Sequence, residues 1–150
     1  MLPMKALRLA LGTSLAANTS FLAPAVDPNV VALIMSDFTE NEDLVVGDVD
    51  LANFTGSQPI EGDTGAQWTG QDPITGQQII RIKVSTGGWR WETADSVNLP
   101  QTIYGYALLK NDLSVMHAIK KFATPIPLTN ADQEVNIDDV DLTFVLQPLS

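Results

Sequence analysis

The sequence predicts an all-β fold: a β-sandwich or jelly-roll-like single domain with long loops. Three observations predict it. Apolar residues recur with period two in several segments; Gly, Pro, Asn and Asp punctuate the chain between them; and 150 residues is the length of one domain. A chain of this length can bury roughly 70% of the surface its unfolded form exposes, so its core needs no metal or disulfide. It has no cysteine, which removes disulfides, thiolate metal sites and cysteine nucleophiles.

The elements follow in chain order. Leu7, Leu9 and Leu11 alternate with Ala6, Arg8 and Ala10, as in an opening strand. Residues 1–25 share features with a secretory leader: Lys5 and Arg8, then apolar residues, then Ala23-Pro24-Ala25. Arg8 interrupts the apolar stretch, and Gly12, Thr13, Ser14, Asn18, Thr19 and Ser20 dilute it. The segment is therefore expected to be structural, extended or interface-forming, with room for a helix between Leu15 and Ala25. No apolar run approaches the ~20 residues of a membrane-spanning helix. Val30 to Met35 is a continuous apolar run of strand length. The alternative place for a helix is near Asp50 to Phe54. Ser57 to Gly76 is weakly patterned and Gly-rich, a long loop with a short strand near Pro59-Ile60.

The second half is more regular. In Gln77 to Val84, Ile80, Ile82 and Val84 alternate with Arg81 and Lys83. Trp89 and Trp91 share one face of a strand after Gly87-Gly88. Gln101 to Leu109 carries Ile103, Tyr104, Tyr106, Leu108 and Leu109, and Gly105 marks a bulge or a close backbone approach. Asn111-Asp112 reads as a hairpin turn into Leu113 to Phe122. That partner also fits a helical stripe through Val115, Met116, Ile119 and Phe122, but its place after a strand and a short turn favours β. Pro125 and Pro127 flank Ile126, which suits an edge or connection. Val135 and Ile137 begin another alternation, and Val140 to Gln147 closes the chain.

The formal charge is −10, with 18 acidic and 8 basic residues. It is unevenly spread. No Lys or Arg lies between Arg8 and Arg81, while ten carboxylates do; residues 1–75 carry −8 and residues 76–150 carry −2. Such a surface repels phosphate backbones, so no nucleic-acid partner is expected. The basic groups Arg81, Lys83 and Arg90 fall in the second half, which gives the chain a dipolar character suited to contacts with acidic surfaces or between copies.

Candidate chemistry is sparse. His117 is the single histidine, so no Ser-His-Asp constellation forms beyond chance, and acid–base work lacks its usual agent. Asp37, Glu40, Glu42, Asp43, Asp48 and Asp50 crowd one segment, but without the ligand spacing and central Gly of a calcium loop. No metal and no cofactor is expected, and no enzyme activity. Trp68, Trp89 and Trp91 have the faces to stack on sugars or bases; two tryptophans at i and i+2 of a strand more often pack in a core or interface.

Two segments carry a resemblance: Gly87-Gly88-Trp89-Arg90-Trp91-Glu92, and Asn98-Leu99-Pro100-Gln101-Thr102-Ile103-Tyr104-Gly105-Tyr106-Ala107-Leu108. Together they resemble a group of small virion structural proteins of tailed phages. These share a Thr-or-Gln, Ile-Tyr-Gly-Tyr segment, followed by a strand, a Phe-x-x-Pro-Ile element and a final alternating strand. Phe122-Ala123-Thr124-Pro125-Ile126 and Val140 to Leu146 correspond here. Asp37-Phe38-Thr39-Glu40 and Asn53-Phe54-Thr55-Gly56 match the group's acidic Phe-Thr pattern, and Leu7 to Leu11 its opening strand. The departures are Asn41 to Val49 and Ser57 to Gly76.

The resemblance implies a virion protein assembled in the host cytoplasm, most simply a capsid decoration or cement protein. Its partners would be the major capsid protein and copies of itself, in a homo-oligomer such as a trimer, with no nucleic acid and no membrane. A tail, fibre or head-fibre component binding a host surface is the alternative; a phage-encoded hydrolase or lectin is a third reading. The residues expected at interfaces or in the core are Trp89, Trp91, Tyr104, Tyr106, Arg81, Lys83 and Arg90.

Overall fold

The hairpin around Asn111-Asp112 forms the centre of the fold. β7 (Gln101–Lys110) and β8 (Met116–Leu128) are antiparallel, and the turn between them is set by local polar groups. Asp112 Oδ1 accepts from the Ser114 amide at 3.0 Å and from its hydroxyl, Leu113 takes φ of 62°, and the Lys110 amide donates to the Val115 carbonyl. An Asp that ties down the backbone two residues on is a turn former for this reason. The helical alternative for the second strand is excluded by this pairing.

A computed structural model describes residues 1–5, 29–61, 67–71, 78–83, 88–138 and 141–146. The expected strand at Ala6 to Leu11 and helix at Leu15 to Ala25 lie outside them. β2 (Asn29–Ile34) lies antiparallel to β7 on the side away from β8, with Val31 opposite Leu108 and Leu33 opposite Tyr106. The short β1 (Leu2–Pro3) pairs with β8, and β3 (Ile60–Glu61) with β2, so the sheet order is β1-β8-β7-β2-β3. β4 (Gln67–Gln71), β5 (Gln78–Lys83) and β10 (Asp141–Leu146) form a second antiparallel sheet in the order β10-β5-β4. β6 (Trp89–Glu92) and β9 (Glu134–Ile137) form a two-stranded ribbon.

The described chain is thus all-β, with one 3-10 turn at Val46–Asp48. The helix expected near Asp50 to Phe54 is not there. Leu51 instead bridges Ile34, and the Met35 and Ala52 amides bond the Asp50 and Leu33 carbonyls, which holds this stretch extended beside the end of β2. The Gly-rich stretch also holds more structure than expected, since β4 lies inside it.

The five-stranded sheet is buried on both faces. On one face Val31, Leu33, Tyr106, Leu108 and Ala118 pack with Trp89, Trp91, Val135 and Ile137 of the ribbon and with Phe54. On the other, Ala32, Ile34, Ala107, Leu109 and Ile119 pack with Met4, Phe38 and Val49. Antiparallel sheets usually leave one face wet and so alternate in sequence. Double burial explains why Val30 to Met35 reads as an unbroken apolar run.

Candidate functional site

The segments that carry the resemblance converge on this central sheet. Gly88, at φ of 79°, leads into β6 and passes so close to the ribbon partner that a Cβ would stand 2.3 Å from the Ile137 carbonyl oxygen. Only glycine takes that conformation at no cost, and here no side-chain atom fits. β6 then presents Trp89 and Trp91 inward and Arg90 and Glu92 outward. The indole N–H of Trp91 donates to the Gln58 carbonyl at 3.0 Å, which satisfies its one polar atom in the core. Trp89 meets Tyr106 at 6.3 Å between ring centroids, and Tyr106 meets Phe122 at 5.8 Å, both tilted. Burial, with a smaller contribution from the Glu40 charge, pushes the Tyr106 phenol up to about 12.

Trp89, Trp91 and Tyr106 are therefore core residues, as one of the two expectations had it, and none of the three presents a face for stacking on a ligand. Tyr104 is half-buried on the opposite side, against the second cluster. The two aromatic strands are not hydrogen-bonded neighbours: β6 pairs with β9 and contacts β7 face to face through Trp89 and Tyr106. Arg90 is exposed and ion-paired with Glu92 at 3.2 Å and with Glu134 across the ribbon, a surface pair of small energetic weight. Arg81 and Lys83 lie on β5, opposite Thr143 and Asp141 of β10; their side chains are outside the description.

Gly105 fulfils its expectation of a bulge and a close approach. The β7–β8 register slips between Ile103 and Gly105, and a Cβ on Gly105 would stand 2.1 Å from the Lys120 carbonyl oxygen and 2.9 Å from Cζ of Phe38. The Phe38 ring occupies the space that a side chain would take. Beside it the Lys121 ammonium donates to Asp37 Oδ1 at 2.5 Å and to the Phe38 carbonyl at 2.6 Å, while the Lys121 amide donates to Glu40 Oε1. The hydrogen bond from Lys121 holds the Asp37 carboxyl below the usual carboxylate range. The acidic Phe-Thr segment and the Tyr-Gly-Tyr segment, 64 or more residues apart in sequence, are thus one packed unit.

In the rest of this segment two side chains tie down the local backbone. Asp48 Oδ2 accepts from the Val45 amide at 2.9 Å, and Asn41 Oδ1 accepts from the Asp43 amide at 3.0 Å. Among the described residues no group of three or more His, Asp or Glu side chains is placed to hold a metal ion, and no helix is long and apolar enough to cross a membrane. His117 is buried where the register slips again, between Ala118 opposite Leu108 and Met116 opposite Leu109. Burial, and then the Lys110 charge, lower its pKa below the ordinary value.

One feature escaped the sequence reading. A cavity of about 400 Å³ opens at the turn end of the central sheet, floored by Met4 and Met116 and flanked by Leu44, Val45, Ser114 and Val115. The apolar triplet Leu44-Val45-Val46 inside an acidic stretch was its one visible sign. Comparison with family models, curated proteins and solved structures finds no match for this chain.

Proposed function

We propose that this protein is a structural component of a phage particle, most simply a decoration or cement protein bound to the major capsid protein and to copies of itself. The observation that carries the reading is the convergence just described. Gly88 to Glu92, Asp37 to Glu40 and Ile103 to Leu108, which hold most of the resemblance, build the two faces of one sheet. A likeness located in the framework is a likeness of architecture, and it leaves the loops and edges as the working surfaces. On this reading the protein acts by contact and catalyses nothing.

A fibre component that binds saccharide through tryptophan has less support, because two of its three candidate rings, Trp89 and Trp91, are buried in the core. The test is the copy number in purified particles, measured by quantitative mass spectrometry against the major capsid protein. A ratio near that of the shell protein supports cement; a handful of copies assigns the protein to the tail; absence from particles rejects both.

A further inference from the structure

β1 closes one end of the main sheet without a turn to hold it there. Leu2 stands opposite Ile119 and Pro3 opposite Ala118, and the Met4 amide donates to the His117 carbonyl at 2.8 Å. Its side chains clasp the edge of β8 from both faces. Met1 packs on the cluster that holds Trp89, Leu2 packs on the cluster that holds Met116, and Met4, only 2% exposed, belongs to the latter. In sequence β1 is followed by β2, yet in the sheet β8 and β7 lie between them. β7 and β8 are tied to each other by the Asp112 turn and so pair within one chain. β1 has no such tie to its partner strand, and the chain from residue 6 to residue 28 joins it to β2.

Length decides how far β1 can travel. The distance from β1 to β2 is three strand spacings, about 14 Å, whereas a chain of the joining length can span roughly 75 Å when extended. A reach of that order extends to the β8 edge of a neighbouring molecule, where β1 meets the same Ile119, Ala118, His117 and Met116. We infer that copies of this chain exchange β1: residues 1–4 of one copy pair with β8 of another, and Met4 is seated in the acceptor's cluster beside Met116. Exchange of an identical element is a low-cost route to association, because the native contacts are remade and only the connection changes. The joint is apolar, and the connecting chain lets the two acidic bodies stand apart, where solvent ions screen the charge of −10 on each. The inference goes beyond the virion reading and does not depend on it.

The absence of cysteine makes the exchange directly readable. Facing residues of antiparallel strands stand about 4.5–5.5 Å apart at Cα, within the span of a disulfide. Pro3→Cys is made in one full-length chain and Ala118→Cys in another, and the two are mixed, refolded together at high concentration and mildly oxidised. Exchange brings the two cysteines face to face, so a mixed disulfide dimer is expected, rising with protein concentration. Its yield should be at least about fivefold that of Glu92→Cys mixed with Glu134→Cys. Those two exposed positions face each other within the ribbon, which is not exchanged, so their yield measures chance collision. Leu2→Cys with Ile119→Cys repeats the measurement one position along, and takes its place if circular dichroism shows that a variant of the first pair does not fold. A chain carrying both Pro3→Cys and Ala118→Cys is expected to give linked dimers at high concentration and closure within one chain on dilution. A mixed yield no higher than that of the ribbon pair overturns the inference. Closure of the double variant within one chain at every concentration equally overturns it. Copy number in particles leaves all these outcomes untouched, so the two readings fail separately.

Discussion

Replacing Trp91 by alanine removes the largest fully buried side chain among the described residues, only 2% exposed in the cluster between the ribbon and the main sheet. Truncating a buried tryptophan costs about 3–5 kcal/mol, the lost transfer energy plus the cavity it leaves. The upper part of that range is expected here, because the Gln58 carbonyl, which accepts from the indole at 3.0 Å, loses its partner as well. In a domain of this size each kcal/mol moves the melting temperature by roughly 2–4 °C, so the variant should melt roughly 6–20 °C lower. Trp91→Phe separates the two contributions. It keeps most of the apolar contact and loses the N–H donor, and should cost about 1–3 kcal/mol. Urea denaturation followed by circular dichroism, with unchanged slope m, reads both values. A change under about 0.5 kcal/mol for Trp91→Ala would refute burial of the ring. Equal losses for Ala and Phe would show that the hydrogen bond, not packing, accounts for the site.

Two further outcomes follow from the same framework. Gly105→Ala should lower stability by at least about 1–3 kcal/mol, the usual cost of overpacking, since the new methyl group meets both the Lys120 carbonyl and the Phe38 ring; calorimetry showing unchanged melting would contradict the close approach. Burial, and then the Lys110 charge, lower the folded pKa of His117 below the ordinary 6.5. The unfolded chain then binds the extra proton, so stability is full above pH 6.5 and declines as pH falls below it. Urea midpoints between pH 7.5 and 5.5 should fall in the native protein and fall less in His117→Gln; parallel profiles would argue against it.

The strands read most reliably were those whose local pattern and tertiary setting agree. The β7–β8 hairpin, the β6 alternation and the β5 alternation all carried period two and clear turn residues, and Gly105 announced its bulge. β4 was hidden because Gln67-Trp68-Thr69-Gly70-Gln71 has one large apolar residue and a glycine, so its pairing with β5 rests on the neighbour and not on its own pattern. Asp50 to Phe54 admits a helix in the sequence because a short apolar-polar mixture fits either period, and the choice is made by its bonds to the end of β2. The strict alternation of β8 breaks around His117, where the register slip lets Met116 and Ile119, an odd number of residues apart, join the same cluster. The burial of the aromatic pair was legible as one of two options. The methionine-floored groove was not, because Met4, Leu44 and Met116 are brought together only by the pairing of β1 with β8 and the return of the acidic segment.

The prolines of β8 have a consequence for how copies coexist at high concentration. β1 pairs with the outer side of β8 at Ala118 and Ile119, and among the described residues no strand pairs with the outer side of the stretch from Phe122 to Leu128. Pro125 and Pro127 sit in that stretch, with Pro127 opposite Thr102. A proline within a paired strand turns its missing donor toward the unpaired side, so this border offers a foreign strand an interrupted row of amides. Sheets that lack such interruptions template edge-to-edge stacking into insoluble fibrils. Copies of the chain at high concentration would meet that hazard at every encounter, and two imino acids blunt it without lengthening the chain.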